Sequence, residues 1–338
     1  MTSYILRRLV LMVPTLIGMT LVLFLTVRFA PGLLTAGGAY GAGGEMRNVQ
    51  ARAAAQELIK RRLHMVDPVS GKPIALPLQY IYWLKDTLSG DFGESIQYNA
   101  PVSQLLAERL PVTITINLFS TFLIYMLAIP GGMLASVKRG KSFDVAWSLI
   151  TLSLYSLPVI WVGSMMVGFL CNPRYLALFP AVGIHSTDTD LYSSFRYAGD
   201  YLWHIVLPVL CLSYGGLAVL TKLQRGAMLD NLSQDYVRTA RAKGLPESTV
   251  ITRHVFRNGL LPMITVFAGI IPSLLGGAVV TETIFSIKGM GDLMLTAVFS
   301  RDLPIIQAVA FIGSVISLIC VLIRDVCYAI ADPRVSYD

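Results

Sequence analysis

The sequence predicts an all-α, polytopic membrane protein with six transmembrane helices, and three observations carry that expectation. Of its 338 residues, 54% are hydrophobic and only 14% charged, with a mean hydropathy of +0.64. Average soluble domains are ~25% charged, so a chain this apolar has too little polar surface to be solvated by water alone. That excludes a disordered tail, a nucleic-acid binder and most soluble enzymes. Second, six apolar stretches, near 9–30, 112–137, 145–170, 204–221, 259–280 and 305–323, are long enough for the ~20-residue helix that crosses a bilayer. Third, the basic residues gather in alternate connections between those stretches.

Each element has its own justification. The first stretch follows Arg7 and Arg8 and exceeds the ~7–15-residue apolar region of a cleaved signal, so residues 1–30 read as a retained span. Residues 31–44 are rich in Gly and Ala and read as a flexible exit, and 45–64 fits a helix. Over 78–88, Leu78, Ile81, Tyr82, Trp83 and Leu88 suit a short helix on the membrane surface, with Lys85 and Asp86 toward water. Ser89–Gly93 reads as a turn, and 102–110 leads into the second span at Pro111. The whole 31–111 region is a cap over helix ends, a docking surface for a substrate carrier, or both. The permease core is 112–323 and the tail 324–338. Pro158 and Pro272 interrupt the third and fifth spans, where neighbouring hydroxyls can satisfy the freed backbone groups.

Charge sets the expected orientation. The segment before the first span and the links 138–144 and 222–258 carry a net +8, whereas 31–110, 171–203 and 281–304 together carry −1. The positive-inside rule places both termini and the basic links in the cytoplasm.

Residues for chemistry are sparse. Gly140-Lys141-Ser142 mimics the end of a phosphate loop, but Ala135 stands where the first glycine belongs and no strand precedes it. His64, His185, His204 and His254 are scattered, and Cys171, Cys211, Cys320 and Cys327 have no metal-binding spacing. No catalytic, cofactor or metal site is therefore expected. The six spans hold no Asp or Glu, so the ionisable relay that an ion-coupled carrier keeps at mid-membrane is missing from them. Energy for transport is expected to arrive from outside this chain. No internal repeat suggests a single-chain secondary transporter.

Residues 230–258 are the most informative stretch. Asn231 or Ser233 can cap a helix whose first turn holds Asp235, with Arg241 and Lys243 suiting its C-terminal dipole. Gly244 suits the left-handed C′ position, and Pro246 starts a second helix to about Asn258. Thr239, Ala240 and Ala242 keep the surface small enough for another backbone to approach, which suits a knob in a partner's groove. A basic helix on anionic lipid is the alternative.

The run Asp235-Tyr236-Val237-Arg238-Thr239-Ala240-Arg241-Ala242-Lys243-Gly244-Leu245, followed by Arg253-His254 and Arg257-Asn258-Gly259-Leu260-Leu261-Pro262, resembles the ATPase-coupling loop of peptide/nickel-type ABC importer permeases. Further matches follow in order: Tyr4-Ile-Leu-Arg-Arg-Leu, Ala30-Pro31-Gly32, Gly90-Asp-Phe-Gly93-Glu-Ser95, Arg109-Leu-Pro111, Thr281-Glu282, Gly289-Met-Gly291, Arg301-Asp302 and Asp332-Pro333-Arg334. The long first outer loop is similar to that of the B-type subunit. Aligned on Gly244, Arg238-Thr239-Ala240 stands where the wider pattern has Glu-Ala-Ala, so the acidic residue is missing.

The resemblance implies a type I importer permease fold in a bacterial inner membrane. The implied partners are a second permease subunit, two ATPase subunits that carry ATP and Mg, and an extracytoplasmic binding protein docking on 31–110 and 281–304. The chain itself would be no enzyme. Peptides are the implied solute, with glycosides or metal chelates as alternatives; an exporter or a scaffold would need no binding protein. Gly269, Ser273 and Gly277 recur every four residues, a small-residue stripe expected to face the second permease or to pack within this chain.

Overall fold

The computed structural model describes residues 2–29, 57, 60–61, 63–67, 71–187, 192–260, 262–263, 266–267, 269 and 277–331. Among these the chain is helical, with two isolated antiparallel bridges, Val66–Pro73 and Glu94–Pro101, in place of any strand. Four described helices are long and apolar enough to cross a membrane, or five if one bent pair counts as a single span. Half of the expected fifth span lies outside the described residues, as does most of the expected helix at 45–64. The fold divides into two units, Met1–Pro111 with Gly289–Leu322, and Val112–Lys288 with Ile323–Asp338.

The first unit begins with helix Thr2–Arg28, in which Thr15, Thr20 and Thr26 return their hydroxyls to carbonyls four residues back. This local bonding lets an apolar helix carry threonines at no cost in unpaired polar groups. The expected surface helix forms as Leu76–Leu88, started by Pro77 in its first turn. Its Tyr80 hydroxyl lies 2.8 Å from Thr20 Oγ1 and its ring packs edge-on to Phe24, while Leu78, Ile81, Tyr82 and Leu88 stay exposed. Val102, Leu105 and Leu106 form a core with Leu293 and Ala297 of helix Met290–Ser300 and with Ile305 and Ala308. That core is tied by Asp302, fully buried behind the left-handed Arg301, which accepts hydrogen bonds from Ser95 Oγ (2.5 Å) and the Gln97 backbone N–H (3.0 Å).

In the second unit the expected single third span is broken. Ser142–Ser156 and Val159–Cys171 meet at 93°. Pro158 has no N–H to continue the ladder and forces Leu157 into an extended conformation (φ −83°, ψ 129°). The carbonyl this frees is taken by the Tyr214 hydroxyl at 2.9 Å, so a neighbouring hydroxyl satisfies the backbone as expected while the direction of the chain changes. The helix expected at 204–221 runs from Ser194 to Leu232, carrying the first eleven residues of the 222–258 link as helix. The last helix likewise continues from Leu303 to Ala331, into the expected tail.

Two further expectations change. Thr281 and Glu282, at the start of the expected 281–304 docking segment, are buried in helix Val279–Ile284 of the second unit. Glu282 accepts from Thr113 Oγ1 (3.0 Å) and the Ala278 N–H (3.1 Å), an internal role that removes it from any docking surface. Gly277 has φ +76° and precedes that helix, so the four-residue stripe does not continue along one helix to Gly277. Gly269 has open space around its Cβ position, and Ser273 lies outside the described residues.

Candidate coupling site

The corner predicted at 230–258 forms in the second unit. Helix Ser194–Leu232 ends, Ser233 and Gln234 turn the chain, and helix Asp235–Ala242 follows. Neither expected cap holds. Gln234 occupies the N-cap without a side-chain bond, Ser233 donates to the Asp230 carbonyl, and Asn231 is engaged by the Tyr236 hydroxyl at 2.7 Å. The preceding helix has taken both polar groups for its own end.

The far end matches the expectation closely. Gly244 sits at φ +77°, its N–H bonds to the Arg241 carbonyl (2.9 Å), and the Leu245 N–H reaches the Ala240 carbonyl (3.4 Å). This pair of bonds is the Schellman closure. Pro246 then caps a helical run from Glu247–Thr249 through a π-helical turn, Val250–Val255, to Phe256–Gly259. Across the corner, Arg241 Nε and Nη2 donate to the two carboxylate oxygens of Glu247 at 3.1 and 2.6 Å. The pairing holds the Glu247 carboxyl below the usual glutamate range and raises the guanidinium, in each case through the shared hydrogen bonds.

Beneath the corner lies a dry foot. Val237, Val250, Val255 and Met228 have no solvent exposure, and Ala240 packs with them. Met133 on helix Val102–Val137 packs against the same cluster, so the foot joins the corner to a long helix. Ala240 therefore serves its own chain rather than a partner, because an eight-residue helix must bury one face to be stable at all. Tyr236, Arg238, Thr239, Arg241, Ala242, Lys243, Gly244 and Leu245 are exposed, as is Asp235, which pairs with Arg238 at 3.4 Å. The presented surface is small and basic, with two clamped charges.

Four residues behind this corner, Asp144, Arg225, Gln224 and Gly132, have packing that no local sequence pattern specifies. Asp144, nearly buried, accepts both Nε (2.7 Å) and Nη2 (2.8 Å) of Arg225 and also the Gly140 N–H (2.9 Å). That carboxylate fills the turn of Gly140-Lys141-Ser142, so the apparent phosphate loop is an internally satisfied link. Gln224 is fully buried, and among the described residues neither polar atom of its carboxamide has a hydrogen-bond partner. Gly132 makes room for it, since a Cβ there would lie 2.8 Å from the Thr221 carbonyl oxygen and 2.9 Å from Gln224 Cβ. No group of three or more potential metal ligands occurs among the described residues.

Comparison with known proteins fixes what kind of molecule carries this corner. Residues 128–337, which contain it, match the family model described as binding-protein-dependent transport system inner membrane component. The chain belongs to that family. Its relatives include the oligopeptide transport system permease protein AppB of Bacillus subtilis (36% identical, 100% of both chains covered). The inner membrane ABC transporter permease protein YejB of Escherichia coli O157:H7 is 34% identical, again over 100% of both chains. The dipeptide transport system permease protein DppB of Escherichia coli K12 is 32% identical over 100% of this chain and 99% of its own. As a member of this family with several apolar helices, the chain is a multi-pass membrane permease subunit. The corner is then a feature of an ABC transport permease.

Proposed function

We propose that this chain is one of two permease subunits of an ATP-driven importer, with six spans and both termini in the cytoplasm of a bacterial cell. Together the two subunits form the pathway for peptides. ATP and Mg belong to two separate ATPase subunits, which grip the 230–258 link, and an extracytoplasmic binding protein delivers the solute. The names of the oligopeptide and dipeptide permeases support the peptide reading. Gly269 is open enough to approach the second permease subunit.

One observation carries the proposal: an exposed, basic corner stiffened by Arg241–Glu247 stands on a buried apolar foot. Force applied to such a corner passes through Met228 and Val255 into the long helices instead of bending a loop. ATP-driven closure of the ATPase pair would move the corner and thereby switch the spans between outward- and inward-open states. The chain's own residues supply leverage and a path, and hydrolysis occurs on the partners. Docking of the binding protein falls to the outer residues of 31–110 and to exposed positions such as Val298 and Phe299.

The test is uptake of a labelled dipeptide into proteoliposomes holding both permeases, both ATPases and the binding protein. Uptake should require ATP and every component, and Thr239→Cys should react with a membrane-impermeant thiol reagent only from the ATPase side. Reaction from the opposite side, or uphill pumping by the chain alone, would overturn the coupling. Uptake of a glycoside or metal chelate in place of the dipeptide would overturn the solute while leaving the coupling intact.

A further inference from the structure

The first unit contains a cleft of about 510 Å³ that the coupling function does not use. Its walls change character from one part to another. Phe24, Val27, Trp83 and Leu303 are apolar, whereas Arg28, Arg61, His64, Asp86, Asp91 and Glu94 bring charge of both signs. The size falls within the range of small-molecule sites, which are apolar with a few placed polar groups.

Two observations set the depth of this cleft in the bilayer. The apolar run Arg7–Arg28 has 22 residues, about 33 Å of helix at 1.5 Å per residue, close to the ~30 Å hydrocarbon thickness. Arg28 therefore stands where acyl chains give way to headgroups. Independently, the Leu76–Leu88 helix that forms one wall exposes Leu78, Ile81, Tyr82 and Leu88, the pattern of a helix lying in the interface.

The charges in the cleft are unevenly engaged. Asp86 is bound by His64 Nε2 at 2.7 Å, and Arg61 by Glu57 at 3.1 Å. His64 holds φ +52°, a left-handed conformation uncommon for a residue with a Cβ, fixed in place by that pair and by the Tyr82 ring. Arg28 is only partly exposed and has no acidic partner among the described residues. Asp91 caps the Gly93 N–H through one oxygen and has no cationic partner among them. A guanidinium at headgroup depth with no carboxylate beside it among the described residues suits an anion, and a carboxylate with no cation beside it among them, in the same cleft, suits a cation.

We infer that the cleft holds the headgroup of a zwitterionic phospholipid, with its phosphate on Arg28, its ammonium toward Asp91 and its chains against Phe24, Val27 and Trp83. A phosphatidylethanolamine fits: its phosphate accepts from the guanidinium and its primary ammonium donates to the carboxylate. A free peptide carries the same two charges but has no use for the apolar wall at hydrocarbon depth. The inference does not depend on which side of the membrane the cleft faces.

The test places the full chain in nanodiscs of equal phosphatidylethanolamine and phosphatidylglycerol with matched acyl chains, and counts lipids retained after transfer to detergent by native mass spectrometry. The wild type should retain phosphatidylethanolamine in preference, about tenfold, the scale of the one charge-assisted hydrogen bond to Asp91 that phosphatidylglycerol cannot make. Arg28→Gln should lose that retention and Arg28→Lys should keep most of it. Asp91→Asn, in an exposed turn that tolerates change, should even out the two lipids. Equal retention by the wild type, or unchanged preference in both Arg28→Gln and Asp91→Asn, would overturn the site. Displacement of the lipid by millimolar dialanine would overturn it too, by showing the cleft to be a solute site.

Discussion

Arg241 and Glu247 face each other across the Gly244 turn, six residues apart in sequence, with both carboxylate oxygens held by one guanidinium at 3.1 and 2.6 Å. The turn's backbone is closed from inside by the Schellman bonds and from outside by this pair. Because the pair lowers the Glu247 pKa, its contribution is complete above the ordinary glutamate value of ~4.3 and is lost as pH falls through the depressed value. Amide exchange of residues 241–247 in the reconstituted chain should accelerate as pH is lowered through that window, after correction for intrinsic rates. Glu247→Gln should exchange faster at neutral pH and show no further step on acidification. A wild-type profile without a step would mean that the turn does not depend on the pair.

Gly244 tests backbone conformation alone. Nothing lies within 4 Å of the position its Cβ would occupy, so a substitution meets no neighbour within the chain, and its cost is the left-handed φ of +77°. Gly244→Ala should weaken the corner by about 1 kcal/mol and Gly244→Asn by less, since Asn tolerates that region. Both should still insert and should retain the ATPases in co-purification, with faster exchange at Leu245. Gly244→Trp should additionally lose the ATPases, because the bulk is presented outward.

Asp144 and Arg225 join the link after the second span to the end of the Ser194–Leu232 helix. Removing one member of a buried, bidentate pair leaves the other charge uncompensated, a loss of ~3–5 kcal/mol when both are enclosed. The Arg225 side chain keeps 30% exposure against 6% for Asp144, so the solvent-discounted expectation for Asp144→Asn is on the order of 2 kcal/mol. A double-mutant cycle with Arg225→Ala, read by thermal unfolding in detergent, should show strong coupling. Additive losses would place the stability elsewhere.

What could be read from sequence was whatever a single residue dictates locally. Gly244 and Pro246 fix the corner because only particular backbones accept them, and the Leu76–Leu88 helix follows from its apolar spacing. Pro158 marked the break, but its 93° consequence depends on Tyr214 accepting the bend, a contact across 57 positions. Asp144 and Arg225 are separated by 81 residues with nothing local to pair them. Ala240 reads from sequence as outward-facing, because eight residues give too short a period to tell the buried face from the presented one. Glu282 reads from sequence as part of an outer docking segment, because a lone carboxylate between apolar segments reads as exposed until Thr113 is brought beside it.

Gln224 points the opposite way from these stabilising contacts. A fully buried carboxamide without partners among the described residues costs ~1–3 kcal/mol relative to a satisfied or apolar side chain. Gln224→Met, close in volume, should raise the unfolding temperature of the reconstituted complex. If the carboxamide finds its partners in the alternate state of the transport cycle, the same variant should slow uptake while leaving ATPase binding unchanged. A destabilised Gln224→Met would show that the carboxamide is satisfied after all.

Ala240 and Ala242 separate the foot of the corner from the surface it presents. Ala240 lies 6% exposed among Met228, Val237 and Val255, whereas Ala242, two residues on, is exposed. A tryptophan at 240 has no space and must displace the foot, an overpacking cost of about 1–3 kcal/mol or more. A tryptophan at 242 changes only the outer face. Ala240→Trp should therefore lower thermal stability and open the 235–255 segment to protease, losing the ATPases as a consequence. Ala242→Trp should keep the wild-type protease pattern and unfolding temperature, yet co-purify with little ATPase. If Ala242→Trp bound the ATPases normally, the groove would meet the corner through Arg238 and Lys243 rather than through its small residues. Normal stability in Ala240→Trp would mean that the foot yields, and a yielding foot could not pass force to the long helices.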